Sequence, residues 1–307
     1  MMPRRRPKTA SAVCEKQRLM LAKGSAGRLC LTRNRSSRVL NRLGAGDSRA
    51  GTDCRAIAAS RANCATESAA QTSFRRIARM RIHCLQHVPF EDAANIALWA
   101  RRRGFSLTHS LMGEAPLPAH RDYDFLAIMG GPMNIYEHDR FPWLAEEKAF
   151  IRQAIDAGKI ILGVCLGAQL VSDALGGPVT RNPHREIGWF PVRLTEAARQ
   201  SPLAVWPDEV LAFHWHGDTF AIAPGARLLA SSDACRHQAF LWGDRVVGLQ
   251  FHIEYSRESI ERMIAHCSDE LLPGPFIQSA DALLPSDAML ARTTSLLEDF
   301  LDALTRR

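Results

Sequence analysis

At the centre of this chain stands the segment Lys159-Ile-Ile-Leu-Gly-Val-Cys-Leu-Gly-Ala-Gln169. Its apolar run predicts a buried strand, Ile160–Val164, and the residues after Cys165 follow a helical pattern. Gly163 and Gly167 permit the tight strand-to-helix turn on which a nucleophile is held in strained, exposed geometry. The positive end of the helix dipole favours the thiolate, the form of cysteine that attacks carbon. A lone cysteine is more often a small buried hydrophobe, but the two glycines favour Cys165 as a nucleophile.

Strand and helix patterns alternate around this segment, which predicts an α/β fold, a three-layer sandwich with a mainly parallel central sheet. From Val179 to Gln250 the pattern changes to short strands separated by Pro, Gly and Asp, so we expect a small antiparallel addition. Ligands of such sheets gather beyond the carboxyl ends of the strands. The other predicted strands are Ile82–Val88, Phe105–Ser110 and Leu126–Met129, and the predicted helices are Glu91–Arg103, a helix between Pro142 and Gly158, Ser256–Cys267 and Ser286–Leu304.

A candidate base lies downstream, in Arg245-Val-Val-Gly-Leu-Gln-Phe-His-Ile-Glu254. Side chains two apart in an extended segment share a face, so Glu254 can lie beside His252, fix its tautomer and stabilise the imidazolium. A hairpin turn at Gly243 and Asp244 would set the register that delivers His252 to the strand end. Taken singly, such a histidine is more often a satisfied surface residue. With Cys165 the two residues form a candidate triad.

A candidate oxyanion hole follows another buried strand, in Asp124-Phe-Leu-Ala-Ile-Met-Gly-Gly-Pro132. Backbone without side chains at Gly130 and Gly131 can approach a substrate carbonyl closely. The amides of Gly131 and Leu166 could together bind the carbonyl oxygen as it gains charge. The alternative is a plain turn, since Gly-Gly-Pro is common in loops.

These three motifs, in this order, resemble those of a class I (triad) glutamine amidotransferase. The likeness extends from about Met80 to Phe300, and the segments Asn182-Pro-His-Arg-Glu-Ile-Gly-Trp189 and Phe213-His-Trp-His-Gly-Asp218 resemble the free-standing, GMP-synthase-like branch of that family. Ile253 stands where many members carry proline, and it keeps the spacing between His252 and Glu254. The resemblance implies the flavodoxin-like fold of that family.

It also implies a reaction. Cys165 would attack the side-chain amide of glutamine, the oxyanion would rest on the Gly131 and Leu166 amides, and His252 would protonate the departing ammonia. By similarity, substrate would be bound by Gly130, Gln169, Trp215, His216 and Asp218, with Asp218 as the partner of the α-ammonium group. The alternatives are a helix residue capping local backbone for Gln169 and turn chemistry after Gly217 for Asp218.

We expect neither a metal nor a cofactor. Alternation places His214, His216 and Asp218 on one face, as in a metal site, but no fourth ligand stands out and no Cys-x-x-Cys occurs. Glu186 and Trp189 either line the site or pack a strand.

Charge divides the chain into two parts. Residues 1–79 hold 18 Lys/Arg and 4 Asp/Glu, a net charge of +14, whereas residues 80–307 carry −7. The basic balance therefore belongs to the leading segment, and we do not expect the domain to bind nucleic acid. Residues 1–79 are poor in aromatics and show no sustained periodicity, so we expect them to be disordered and residues 80–307 to form the amidotransferase domain.

Three interpretations of residues 1–79 remain open: a translated stretch before a true start at Met80, which we favour, an organellar transit peptide, or a basic tail that contacts nucleic acid or acidic lipid. No apolar run suits secretion or a membrane span. The 8 cysteines lack paired spacing, which indicates reduced thiols and a cytoplasmic location.

The acceptor of the ammonia is not encoded in a recognisable motif. No Gly-x-x-x-x-Gly-Lys occurs, and nothing after Glu254 is long enough for an ATP-using domain. Either a synthetase partner receives the ammonia or the domain hydrolyses alone. A γ-glutamyl peptidase or hydrolase acting on γ-glutamyl conjugates, and a non-catalytic regulatory module, are the alternatives to a glutamine-hydrolysing amidotransferase.

Overall fold

A computed structural model describes residues 79–306 of the chain. All but the last residue of the predicted basic leader lies outside the described residues. The strands are β1 (Arg81–Gln86), β2 (Ser106–Leu111), β3 (Phe125–Ile128), β4 (Ile160–Val164), β5 (Val179–Leu194), β6 (Glu209–Phe220), β7 (Ala226–Ser231), β8 (Ala239–Trp242) and β9 (Val246–Leu249). The helices are α1 (Ala94–Arg102), α2 (Trp143–Asp156), α3 (Leu166–Ala174), α4 (Arg257–Cys267), α5 (Ala280–Leu283) and α6 (Asp287–Thr305).

The strands form a 9-stranded sheet in the order β2-β1-β3-β4-β9-β8-β7-β5-β6. Neighbours from β2 to β9 are parallel, and neighbours from β9 outward are antiparallel. The predicted parallel core with an antiparallel addition is confirmed, and the addition continues the same sheet. The hairpin β8–β9 places β9 directly beside β4.

Helices cover both faces of the parallel half of the sheet. On one face, Ile96 and Trp99 of α1 pack in the same cluster as Leu297 and Phe300 of α6. On the other face, apolar side chains of α2 and α3 pack together, with Ile151 fully buried. The result is the predicted three-layer sandwich, since each apolar strand is buried between two helical layers.

Local sequence signals set several helix ends. Pro142 precedes α2, the hydroxyl of Ser256 accepts a hydrogen bond from the Ser259 amide at the start of α4, and Ser286 caps α6 in the same way. These caps satisfy amides that have no partner within the helix. The predicted starts at Ser256 and Ser286 are therefore confirmed.

One predicted helix is too long at its start. Glu91–Arg103 is expected to be helical, but α1 begins at Ala94. The carboxylate of Asp92 accepts a hydrogen bond from the Ala94 amide at 3.0 Å, which makes the preceding residues a turn. This turn leaves Glu91 free to extend into the interior, where it is buried.

The residues that follow β9 are held by hydrogen bonds to β6 and not by the strand pairing of β9. His252 and Phe213 exchange both main-chain hydrogen bonds, at 2.7 and 3.2 Å. The hairpin predicted at Gly243 is present and fixes the register of β8 and β9. Beyond Leu249, however, the position of His252 depends on pairing with a strand about forty residues earlier.

Two further predictions concern the environment of the chain. Among residues 79–306, no helix has both the length and the apolar character needed to cross a membrane. The cysteines in this part of the chain, Cys84, Cys165, Cys235 and Cys267, are all free and buried.

Candidate active site

Three neighbouring strands end at one point. β3, β4 and β9 lie side by side and parallel, and their carboxyl ends lead into Gly130, Cys165 and His252 respectively. β4 and β9 are thus adjacent in the sheet although they are distant in the sequence. This edge is where parallel sheets form ligand sites.

Cys165 occupies a strained turn between β4 and α3. Its φ is 52° and its ψ is −110°, a region that residues other than glycine rarely adopt. A Cβ on Gly163 would lie 2.5 Å from the Gly167 carbonyl oxygen, and a Cβ on Gly167 would lie 2.1 Å from the Ile128 oxygen. Both glycines are therefore required by close backbone contacts, and these contacts hold the cysteine in its strained conformation.

His252 connects the candidate nucleophile with a carboxylate. Its Nδ1 lies 2.6 Å from Glu254 Oε1, and the side chain of Cys165 lies close enough to its ring to affect the pKa of His252. Burial alone lowers the pKa of His252, but Glu254 and Cys165 outweigh it and hold that pKa well above its usual value. The structure thus brings the three residues of the predicted triad together, and this environment favours the protonated form of His252.

Glu254 is itself fixed by the main chain. Its second oxygen accepts a hydrogen bond from the Ile253 amide at 3.0 Å, and its side chain is 1% exposed. The carboxylate therefore has little freedom to turn away from His252.

The sulfur of Cys165 has two further polar neighbours. The carbonyl oxygen of Trp215 and Nε2 of Gln250 each lie 3.7 Å from it. Gln250 in turn accepts a hydrogen bond from Gln169 at 3.2 Å, and the same Gln169 amide donates to the Asp218 carbonyl. Gln169 is thus placed behind the nucleophile, where it joins α3 to β6.

The two predicted oxyanion donors lie on either side of a narrow gap. A Cβ on Gly131 would meet a side-chain carbon of Leu166 at 2.9 Å, so these residues are neighbours. Leu166 is the first residue of α3, whose amide has no partner within the helix. In the loops and turns of residues 79–306, neither of these amides donates to a main-chain carbonyl. Both remain available to a substrate oxygen.

Tyr255 and Glu91 lie next to the triad, and no motif of the sequence points to them. The Tyr255 ring stacks on His252 with 4.3 Å between ring centroids, and its hydroxyl donates to Glu91 Oε2 at 3.0 Å. Burial raises the pKa of Glu91, although the nearby His252 opposes this shift. Glu91 gave no sequence signal because its position depends on the turn before α1.

The residues expected to bind substrate lie on both sides of the sulfur. Gly130 is close to the triad, since a Cβ there would lie 3.3 Å from Cε1 of His252. The Asp218 carboxylate accepts a hydrogen bond from Asn134 at 2.7 Å, and burial raises its pKa against the opposing effect of Arg181. The indole Nε1 of Trp215 donates a hydrogen bond to Glu270 Oε2 at 3.2 Å.

His216 belongs to a buried polar cluster with Glu186 and His214, whose ligand atoms lie within 4.8 Å of one another. In the described part of the chain, these side chains could hold a metal ion. The Glu186 oxygens already accept hydrogen bonds from three donors: Ser232, Gln238 and His216. Glu186 is therefore already engaged as a hydrogen-bond acceptor, and burial lowers the pKa of His214 to about 4.

Comparison with known proteins places this geometry in context. Residues 95–268 match the family model described as glutamine amidotransferase class-I. The glutamine amidotransferase-like protein YfeJ of Salmonella typhimurium is 36% identical over 198 residues, which cover 62% of this chain and 83% of that protein. A GMP synthase (glutamine-hydrolyzing) of Streptococcus equi subsp. zooepidemicus is 34% identical over 134 residues, but this match covers 42% of this chain and only 24% of the synthase.

Solved structures show the same fold. A glutamine amidotransferase from Thermotoga maritima superposes with a TM-score of 0.69 at 28% identity, covering 75% of this chain and 99% of the other. A glutamine amidotransferase from Methylobacillus flagellatus gives a TM-score of 0.69 at 31% identity, covering 74% and 94% of the two chains.

Proposed function

This chain belongs to the class-I glutamine amidotransferase family, and from that premise we propose that it releases ammonia from the side-chain amide of glutamine through a thioester on Cys165. The observation that carries the proposal is the grouping of Cys165 with the hydrogen-bonded pair His252 and Glu254 at the carboxyl ends of adjacent strands. A thiolate beside an imidazolium is the activated form of this nucleophile.

In the first half of the reaction, the Cys165 sulfur forms a bond to the amide carbon and the carbonyl electrons move onto oxygen. The amides of Gly131 and Leu166 donate to that oxyanion. His252 gives its proton to the amide nitrogen, the carbon–nitrogen bond breaks, and ammonia leaves.

In the second half, water attacks the γ-glutamyl thioester. His252, now neutral, takes a proton from the water, and the bond between carbon and sulfur breaks to release glutamate and the thiolate. Glu254 holds the ring in one orientation throughout, because its carboxylate accepts from Nδ1.

We also propose that the amino-acid end of the substrate is bound beside β6. Asp218 offers the negative charge for the α-ammonium group, and burial makes such a charge pair stronger than it would be in water. Gln169 lies within the same group of contacts, between Gln250 and the main chain of Asp218.

The ammonia is proposed to pass to an acceptor on a synthetase partner. This part of the proposal is supported by the relatives named GMP synthase, which this chain matches over a minor part of their length. In the absence of such a partner, the expected reaction is hydrolysis of glutamine alone.

The test is to incubate the full-length chain with glutamine and, separately, with γ-glutamyl dipeptides, and to follow glutamate and ammonia. We expect the wild type to release both products from glutamine. We expect Cys165→Ala to release neither, with an unchanged circular dichroism spectrum. Turnover of dipeptides without turnover of glutamine would instead indicate a γ-glutamyl peptidase. Full activity of Cys165→Ala would refute the thioester mechanism.

A further inference from the structure

A second buried histidine lies beside the oxyanion loop. His87 follows β1, which is the neighbour of β3 in the sheet. Its Nδ1 lies 2.9 Å from the carbonyl oxygen of Gly130, and its Nε2 lies 2.9 Å from Oε1 of Glu147. The side chains of His87 and Glu147 are both 0% exposed.

The partners of His87 determine its protonation. A carbonyl oxygen and an ionised carboxylate accept hydrogen bonds, so both ring nitrogens donate when Glu147 is ionised. Burial alone lowers the pKa of His87, but the Glu147 carboxylate and the Gly130 carbonyl outweigh it, so that the pKa lies above its usual value. The ring is therefore an imidazolium paired with a buried carboxylate.

The burial of Glu147 lowers the stability of the fold. It lies on the buried face of α2 with Leu144, Phe150 and Ile151, and it is the charged residue among the buried positions of that helix. Its Oε2 has no hydrogen-bond partner within residues 79–306. An apolar side chain would pack this helix at lower cost, because a buried ion pair with an incomplete set of hydrogen bonds repays its desolvation poorly. The stability of the fold therefore does not explain why His87 and Glu147 form this pair.

The carbonyl of Gly130 belongs to the same peptide group as the amide of Gly131. The described chain has no cis peptide bonds, so in this planar unit the N–H points away from the C=O. A charged donor on the carbonyl oxygen fixes the plane of the peptide and withdraws electrons from its N–H, which becomes a stronger donor. His87 also packs closely against Gly131, since a Cβ on Gly131 would lie 2.9 Å from Cβ of His87.

We propose that His87 and Glu147 are positioning residues that orient and polarise the Gly130–Gly131 peptide, so that its amide binds the oxyanion of the reaction. This inference rests on the proposed function, because the amide of Gly131 acts only when a carbonyl carbon is attacked. Neither residue touches the substrate. Their effect reaches the reaction through one peptide group.

The test uses two reactions of the same sulfur in the full-length chain. Hydrolysis of glutamine passes through an oxyanion. Alkylation of Cys165 by iodoacetamide does not, since a sulfur–carbon bond forms at a methylene while iodide leaves with the electron pair. A variant that damages only the oxyanion donor therefore slows hydrolysis and spares alkylation.

For His87→Gln we expect a fall of about 10–100-fold in kcat, which is less than the loss caused by removing a donor altogether. KM and the rate of alkylation are expected to stay within about threefold of the wild type, because no ground-state contact and no part of the triad is removed. Glu147→Gln is expected to act in the same direction. His83→Gln is the matched control. His83 lies in β1 and is as buried as His87, but its Nδ1 is hydrogen-bonded to Thr108. The kcat of this variant should therefore equal that of the wild type.

Wild-type kcat in both His87→Gln and Glu147→Gln would overturn the inference, and so would a loss of alkylation parallel to that of hydrolysis. If His87→Gln does not fold, Glu147→Gln provides the kinetic test. The ¹⁵N chemical shifts of the histidine rings in the wild type are a second measurement, because they report which ring nitrogens carry a proton. A His87 ring without a proton on Nδ1 would also overturn the inference. A wild-type chain that hydrolyses neither glutamine nor γ-glutamyl dipeptides would refute the proposed function instead, which keeps the two failures distinct.

Discussion

The main chain at Gly167 contacts the carbonyl of Ile128 so closely that a Cβ would lie 2.1 Å from that oxygen. The contact joins the first turn of α3 to the end of β3, and the Gly167 amide donates to the next carbonyl, that of Met129, at 3.2 Å. The turn that carries Cys165 and the strand that leads to Gly130 are therefore one rigid unit. Any side chain at Gly167 must separate them.

Replacing Gly167 by alanine should lower the free energy of unfolding by about 3 kcal/mol, since the added carbon meets main-chain atoms that cannot rotate away. Urea denaturation measures this loss. Gly217→Ala is the control for stability, because a Cβ there would meet only the flexible side chain of Arg185, at 3.3 Å. Equal stability of the two variants would mean that the contact at Ile128 can relax.

Glu254→Gln should reduce kcat by roughly 10²–10⁴-fold, because the amide no longer stabilises the imidazolium or selects its tautomer. Glu254 raises the pKa of His252, so its neutralisation lowers that pKa. The alkaline limb of the kcat/KM profile, which reports loss of the proton that His252 gives to ammonia, should move to lower pH. If the profile and kcat stay unchanged, His252 is held by another group, and Glu91→Gln would then be the next variant to measure.

Asp218→Asn should raise KM for glutamine by roughly 10–100-fold and leave kcat nearly unchanged, since the amide cannot form a charge-assisted hydrogen bond with an α-ammonium group. Steady-state kinetics with glutamine provides the measurement. Asp233→Asn, at an exposed aspartate paired with Arg193, is the control and should behave as the wild type. A wild-type KM in Asp218→Asn would remove this residue from the proposed substrate site.

Two buried histidines should give the stability of the fold opposite dependences on pH. Burial lowers the pKa of His83 from 6.5 to about 4, so between these values only the unfolded chain takes up the proton and the free energy of unfolding falls with falling pH. His83→Gln should lessen that fall. The pKa of His87 is raised, so its contribution to stability is complete below pH 6.5 and is lost as pH rises through the pKa of the folded state.

His87→Gln should therefore lose more stability at pH 6 than at pH 9. Urea denaturation of the wild type and both variants at pH 5, 6, 7.5 and 9 tests both signs. Parallel curves for the three proteins would contradict the assigned charge states.

The sequence predicted those features that depend on neighbouring residues. Periodicity and the two glycines predict the strand, the cysteine and the helix of residues 160–174, because a turn of this kind is specified within a few residues. The start of α1 was predicted wrongly, since Asp92 and its bond to Ala94 compete with the helix by a local side-chain contact that the periodicity does not reveal.

The residues around the triad were beyond reach for a different reason. Tyr255, Glu147 and the pair His87 and Glu91 come from three separate segments, and their relevance depends on which of them meet. Buried polar side chains carry no periodic signal of their own. Glu147 in particular interrupts the apolar pattern of α2, and only its pairing with His87 explains the interruption.

The sequence by itself determined the α/β class, the turn that carries Cys165 and the membership of a family whose motifs are short and local. How those motifs meet depends on the tertiary structure: β9 lies beside β4, β6 pairs with His252, and the His87 ring is hydrogen-bonded to the carbonyl of Gly130. The physical reason is that local conformation depends on adjacent side chains, whereas hydrogen bonds and charge pairs between distant segments exist only after the sheet has set their distances.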